Sequence, residues 1–421
     1  MSTANKLTYL NGTKQAIKQA INEDFEVIDN NTTFREYADE ISSNNAKYKD
    51  LIPKETKNAT NTLDISNSSG LDKALVTQYG NTYQEGEPTP DYPQEIQVVT
   101  GDNTINICGK NLLSTSFKLG TINAYGMPSG ATNRARTGYE EVQPNKTYIF
   151  SSSNSNIYFV PYFYDESYTF ISYDNGWKAQ TTAITTPSNT KYLRLLVKNN
   201  LTDTITLGEI TQPQLEQRST ATTYEPYQSQ SYPVNLGDIE LCKIYTYKDR
   251  IYPLNGKWYL NKQIGKVVLD GSENWVFSVS ATTPTNRSVI QLSNRINPLN
   301  YNYLSNYFIE GSTTPNRIAI VTTTYAIYVS LDDTITGVVS SDTDGQKKEK
   351  LKTWLSTHNT IVYYVLATPT TTEITKNNYP TLYNQLNNIK LFEGVNHITM
   401  TNESGLDVEF DITYYKDWKL D

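Results

Sequence analysis

The stretch Gln212-Pro-Gln-Leu-Glu-Gln-Arg-Ser-Thr-Ala-Thr-Thr-Tyr-Glu-Pro-Tyr227 constrains the fold of this chain more than any other. It is too polar and too Thr-rich for a core helix. It reads as the last strand of a β-sandwich running into an extended exit at Glu225-Pro226, because the residue before a proline is held extended. The residues ahead of it agree, since the pattern is all-β from Asn111 onward. Lys146–Ser151 alternates, with Tyr148 and Phe150 on one face. Ile157–Tyr164 is a long apolar and aromatic run, and its Pro161 predicts an edge strand or a bulge. Tyr192–Val197 and Thr204–Ile210 read as further strands. Short strands at regular spacing with turn residues between them predict a sandwich or jelly roll.

The whole chain has 421 residues, long for one core, so two or three domains are expected. Residues 1–45 differ from the rest. Leu7, Leu10, Ile17 and Ile21, with Ala16 and Ala20, make a narrow helical stripe. Thr33-Phe-Arg-Glu36 forms a capping box ahead of Phe34, Tyr37, Ala38 and Ile41 at helical spacing. Helices this thin bury little alone, so they pack on copies of themselves, on a partner, or as a hairpin capping a sandwich. Residues 46–110 are a linker and β segment, with Ser42–Asn61 weakly patterned and Glu85–Pro93 held extended by its prolines. Residues 111–227 form the sandwich. Residues 228–421 form a β-rich region with one helix near 346–356, on which Leu351, Trp354 and Leu355 face inward. Asn255-Gly256 predicts a type I′ hairpin, and Ile361–Ala367 a central strand. The fold class is therefore mainly β: a short N-terminal helical segment followed by tandem sandwich or jelly-roll domains.

The net charge of −8 and a pI near 5.1 argue against a dominant nucleic-acid footprint and against attraction of the chain as a whole to anionic membranes or anionic polymers, while leaving room for local basic patches. No run approaches the roughly 18 apolar residues of a membrane helix, and Met1–Lys6 has no apolar signal region. Cys108 and Cys242 stand singly in apolar runs, which gives neither metal spacing nor a disulfide framework; free thiols fit a reducing cytoplasm. His358 and His397 have no Cys, Asp or Glu at ligand spacing, and no nucleophile elbow or phosphate loop occurs. Glu140-Glu141 and Asp165-Glu166 lie beside tyrosines, as a glycosidase pair would, but a solvated loop or strand edge explains each more simply. Asp332-Asp333 and Asp342-Thr-Asp344 lack the spacing of a calcium loop. The expectation is a protein that is not an enzyme, with no catalytic residues, no metal and no cofactor.

Aromatic density does suit a mechanism. The chain holds 33 Tyr against 11 Phe and 5 Trp, which fits either wet sheet faces or a contact surface. Tyr158, Phe159, Tyr162, Phe163, Tyr164, Tyr168, Phe170, Tyr173 and Trp177 crowd one short span. Half of an alternating strand faces out, and aromatic rings pack on the C–H faces of sugars. Tyr164, Tyr168, Tyr173 and Trp177, around the Asp165–Ser167 and Asp174–Gly176 turns, are the candidate ligand contacts, against core packing and a protein interface.

Two phrases carry a resemblance. Gln212–Tyr227 closely resembles the stretch that closes carbohydrate-binding-module-like sandwiches in tail-tip proteins of tailed bacteriophages from Gram-positive hosts. Gly86–Asp102 followed by Ile105-Asn-Ile-Cys-Gly-Lys-Asn-Leu-Leu113 resembles the run that opens the same module in phage minor structural proteins. Leu7–Lys18 and Thr33–Ala38 resemble the N-terminal attachment segment of such proteins. The resemblance implies a virion protein of the baseplate or tail fibre, assembled in the host cytoplasm and usually homotrimeric. It implies other tail proteins as partners, and host attachment through receptor binding of a cell-wall glycopolymer such as wall teichoic acid. A purely structural baseplate adaptor and a cell-wall glycan depolymerase are the alternatives.

Overall fold

The computed structural model describes residues 61–64, 73–281, 287–293, 296–311 and 314–415. The helical segment expected over residues 1–45 lies outside the described residues. What is described is mainly β.

Two sheets form the body. One has the order Asn61–Asp64, Val395–Asn402, Asp102–Cys108, Ser229–Asn235. The other runs Pro298–Ser305, Thr360–Ile374, Lys257–Leu269, Arg250–Leu254, Lys73–Tyr79, Phe410–Tyr415. Strands from 61–108 and from 229–415 thus share both sheets. Their facing residues make one core: Ile105, Ile107, Val234, Ile398 and Met400 meet Ala74, Val76, Ile251, Trp258 and Phe410. Each large apolar side chain buried there contributes about 1.5–3 kcal/mol. The Trp258 indole N–H donates to Asn387 (3.1 Å) on the helix Pro380–Asn388, whose Leu382 and Leu386 close that core. The predicted hairpin is present: Asn255 and Gly256 take φ of 49° and 80° between two paired strands.

Two excursions leave the body. Asp102–Cys108 pairs antiparallel with Ser229–Asn235 from Asp102↔Asn235 to Cys108↔Ser229, and residues 109–228 are inserted at that end. Lys257–Leu269 pairs with Thr360–Ile374 up to Leu269↔Thr360, and residues 270–359 are inserted there, returning once to the body sheet as its edge strand Pro298–Ser305. Each insertion starts and ends at neighbouring points, so neither interrupts a sheet. The second carries a five-stranded sheet, Val276–Ala281, Arg287–Leu292, Ala326–Asp332, Arg317–Val321 and Ile309–Glu310. The helix Asp344–Thr357 packs on it through Leu351, Trp354 and Leu355, the residues predicted to face inward. Thr343 and Gln346 cap that helix reciprocally, which extends its start beyond the predicted one.

The first insertion also has two sheets. One has the path Phe170–Tyr173, Ile157–Tyr164, Tyr192–Asn199, Ala135–Arg136, Lys118–Leu119, with Lys178–Ala179 and Glu140–Glu141 alongside. The other is Ala183–Thr185, Thr147–Ser151, Gln214–Glu216. Between them lie Tyr148, Phe150, Phe159, Phe163, Leu193, Leu195, Val197 and Leu215. Two local expectations are corrected. Ile157–Tyr164 is flanked on both sides, so it is no edge strand. Pro161 is tolerated because its carbonyl accepts from the Asp174 N–H (3.2 Å). Its missing N–H points the same way, toward the break between the 170–173 and 178–179 strands. No bulge falls at Pro161; the register shift in this pairing lies opposite Phe163/Tyr164, where Ile171 of the partner strand is the extra residue. Thr204–Ile210 is not a strand but a 3₁₀ turn at Leu207–Glu209. The Glu209 carboxylate accepts from Thr206 N–H (2.6 Å) and Asn199 (2.6 Å), a local bonding pattern that displaces the ladder.

Candidate functional site

The two stretches that bracket the inserted unit interlock where the chain enters and leaves it. Lys110 forms an ion pair with Glu225 (2.6 Å) and donates to the Thr223 carbonyl (2.6 Å). Asn111 donates to the carbonyls of Glu225 (2.9 Å) and Pro213 (3.3 Å), and its side-chain oxygen accepts from the N–H groups of Leu113 (3.0 Å) and Leu215 (3.1 Å). Gln214 accepts from the Glu225 N–H (2.8 Å). The buried Glu216 accepts from the Thr222 N–H (3.0 Å) and hydroxyl. Polar side chains here replace a ladder that the extended exit cannot form, which explains why this stretch is rich in Gln, Glu and Thr. These residues fasten the unit; they are not placed to hold a ligand.

The outward face of the larger sheet carries the aromatic cluster. Tyr158, Val160, Tyr162 and Tyr164 alternate with the core residues Ile157, Phe159 and Phe163. The hairpin of Thr121–Ile122 and Pro128–Ser129 lies over this face: the Tyr162 hydroxyl donates to the Ile122 carbonyl (3.0 Å) and the Tyr164 hydroxyl to the Gly126 carbonyl (2.6 Å). Gly126 has φ of 76°, and a Cβ there would meet the Phe170 ring at 2.4 Å, so only glycine brings the hairpin this close.

Of the four sequence-predicted contacts, Tyr164 is overturned as one. It is 1% exposed, and burial pushes its phenol up to about 12. Tyr168 is 52% exposed at the tip of the turn after Tyr164. Asp165 builds that turn by accepting from the N–H groups of Ser167 (2.9 Å) and Thr169 (2.8 Å). Tyr168 has φ of 60°, which costs a non-glycine residue roughly 1–2 kcal/mol. Its ring stacks on Tyr192 (4.5 Å) and meets Tyr139 edge-on (4.9 Å). Tyr173 is half-buried and stacks on Tyr162 (5.0 Å). Trp177 is half-buried and meets two cations: Arg134 Cζ lies 5.2 Å and Lys198 Nζ 5.0 Å from its ring centroid.

Sequence reasoning missed the cations and Tyr139. Arg194 is buried on this face, with Cζ 4.7 Å from the Tyr139 centroid and two donors on the Thr137 carbonyl. The signal was available: Arg134-Ala-Arg136 and Arg194…Lys198 are spaced in steps of two, so each pair shares a sheet face.

The carboxylates considered for glycan cleavage have structural partners. Glu140 is fully buried and accepts from the N–H (2.7 Å) and hydroxyl (2.7 Å) of Ser114 and from both donors of Thr115. Glu141 pairs with Lys191. Asp332 and Asp342 bond the neighbouring N–H groups of Thr334 (2.8 Å) and Val339 (2.8 Å). Among the described residues no cluster of His, Cys, Asp and Glu could hold a metal.

Pairing brings together one couple that the sequence separates widely. His397 lies directly across from Cys108 in the body sheet. Both border a groove of about 1510 Å³ lined also by Asn106, Ser114, Glu141, Lys191, Tyr227 and Thr399. Burial pushes the Cys108 thiol up to about 12 and the His397 imidazole down to about 4. Each shift favours the neutral form, the opposite of a thiolate–imidazolium nucleophile. Comparison of the chain with protein-family models, curated proteins and solved structures finds no match.

Proposed function

We propose that this chain is a tail-tip component, baseplate or tail fibre, of a tailed bacteriophage infecting Gram-positive bacteria. In this reading it contributes to host attachment by binding the cell surface without cleaving it. The observation that carries the proposal is the latch at Lys110–Asn111 and Gln214–Glu225. The two phrases that resemble the borders of a phage carbohydrate-binding module meet there in space, around one β-sandwich unit. The aromatic turn at Tyr168 supports a binding role, since its exposed ring is held rigid on Tyr192 and Tyr139. A homotrimer docked on other tail proteins would repeat a weak site three times and gain avidity. Wall teichoic acid or another wall glycopolymer is the partner this reading expects, in a virion assembled in the host cytoplasm.

The test incubates the purified full chain with host cell walls and measures both retention and released saccharide. Retention without release is the expected result. Release that disappears on substituting a carboxylate would make the chain a depolymerase. Neither retention nor release would make it a structural adaptor.

A further inference from the structure

We infer that the outward face of the larger sheet in the inserted unit holds an anion subsite, with Arg134 and Lys198 as its contacts, for the phosphate or carboxylate groups of a polymeric glycan. The inference deepens the attachment reading by naming the chemistry of the ligand.

Register assembles the site. Leu196 belongs to the outward cluster and pairs with Arg136, and Arg136 pairs with Lys118, so all three point outward. Lys198 pairs with the outward Tyr158 and Arg194 with the outward Tyr162. Arg134 lies two residues from Arg136, and its guanidinium reaches the same indole as Lys198. Five cations therefore share one face of a chain whose net charge is −8.

Their partners do not neutralise them. Among the described residues Arg134 donates only to the Thr121 hydroxyl (3.4 Å), and Arg136 to the Leu119 carbonyl (3.0 Å). Among the described residues neither they nor Lys198 has a carboxylate within ion-pair distance; Asp174 is held by Lys178 (2.9 Å), and Glu141, across from Tyr192 on the same face, by Lys191. One Arg194 guanidinium nitrogen is buried with no hydrogen-bond partner. Both cations lie against the electron-rich face of one indole, and neither positive charge is neutralised there by a described carboxylate. An oxyanion bound at these cations is stabilised by charge-assisted hydrogen bonds, which either an arginine or a lysine can supply. The exposed rings of Tyr125 and Tyr168 border the same face and suit the sugar part of such a ligand.

The experiment measures equilibrium binding of the full chain to poly(glycerol phosphate), polygalacturonate and neutral dextran at low and high salt, with host walls in parallel. The variants are Arg134→Gln/Lys198→Gln and the charge-keeping Arg134→Lys, each checked by thermal unfolding. Binding to a polyanion but not to dextran is expected. It should weaken at least tenfold in the double variant and on raising salt, and stay within about threefold in Arg134→Lys. Tighter binding of the phosphate polymer or of the carboxylate polymer identifies the source. The inference is overturned if neither polyanion binds, or if the double variant binds as the parent does. A double variant that keeps wall retention but binds no polyanion differently sinks the subsite and leaves the attachment reading standing. Polyanion binding lost in the variant, with no wall retention by the parent, does the reverse.

Discussion

Lys110 and Glu225 meet as an ion pair of 2.6 Å where the chain enters and leaves the inserted unit. One step outward, Gly109 N–H donates to the Gln228 carbonyl (2.9 Å), which continues the ladder of Asp102–Cys108 and Ser229–Asn235. The unit thus enters and leaves through adjacent strands, and its polar lock rests on Asn111.

Asn111→Ala should therefore cost more than Lys110→Ala. Asn111 is buried and serves two carbonyls and two N–H groups, so its loss leaves buried polar groups unsatisfied, at about 2–4 kcal/mol. Glu225 is partly exposed, so loss of the ion pair should cost about 1 kcal/mol. Denaturant unfolding of both variants checks the order; equal midpoints would refute the dominance of Asn111.

Residues 110–227 should be removable. Joining Gly109 to Gln228 through an Asn-Gly turn should leave the body cooperative and monodisperse, because the flanking strands already pair at that end. The excised span should in turn show its own thermal transition, since its two sheets enclose a core of their own. Calorimetry of the two pieces tests both statements, and a body that aggregates on excision would contradict the first.

Stability should fall in mild acid through His397. Its folded pKa lies near 4, below the ordinary 6.5, because burial disfavours the imidazolium. The unfolded chain thus binds a proton that the folded chain does not throughout that window. The His397 contribution is complete above about pH 6.5 and is lost as pH falls toward 4, by about 3 kcal/mol in all. His397→Gln should flatten this part of the stability–pH curve. An unchanged slope would assign the acid sensitivity to other groups.

Tyr168 and Tyr164 should separate binding from folding. Tyr168→Gly removes an exposed ring and relieves a positive φ, so stability should stay within about 1 kcal/mol while wall retention drops severalfold. Tyr164→Phe removes the donor to the Gly126 carbonyl, so stability should fall by about 1–2 kcal/mol with retention kept. Paired melts and retention assays decide; retention lost only in Tyr164→Phe would move the contact surface beneath the hairpin.

Much of this was legible locally. The Asn255-Gly256 hairpin, the inward face of the helix at Leu351, Trp354 and Leu355, and the central strand at 361–367 follow from turn chemistry and periodicity, which act between near neighbours. The strand at Gln214–Glu216 was also readable, because a strand that hands over to an extended polar exit has a distinctive composition. Tertiary structure alone decided the rest. Alternation assigns Tyr158, Tyr162 and Tyr164 to one face, but it cannot tell that a hairpin from residues 121–129 covers Tyr164 and leaves Tyr168 open. It cannot tell that Thr204–Ile210 gives up its ladder to Glu209. Nor can it bring Arg134 and Lys198 to one indole, or His397 beside Cys108, since those meetings depend on strand order across the fold. A period of two fixes which residues share a side of a strand; only packing decides what lies against that side.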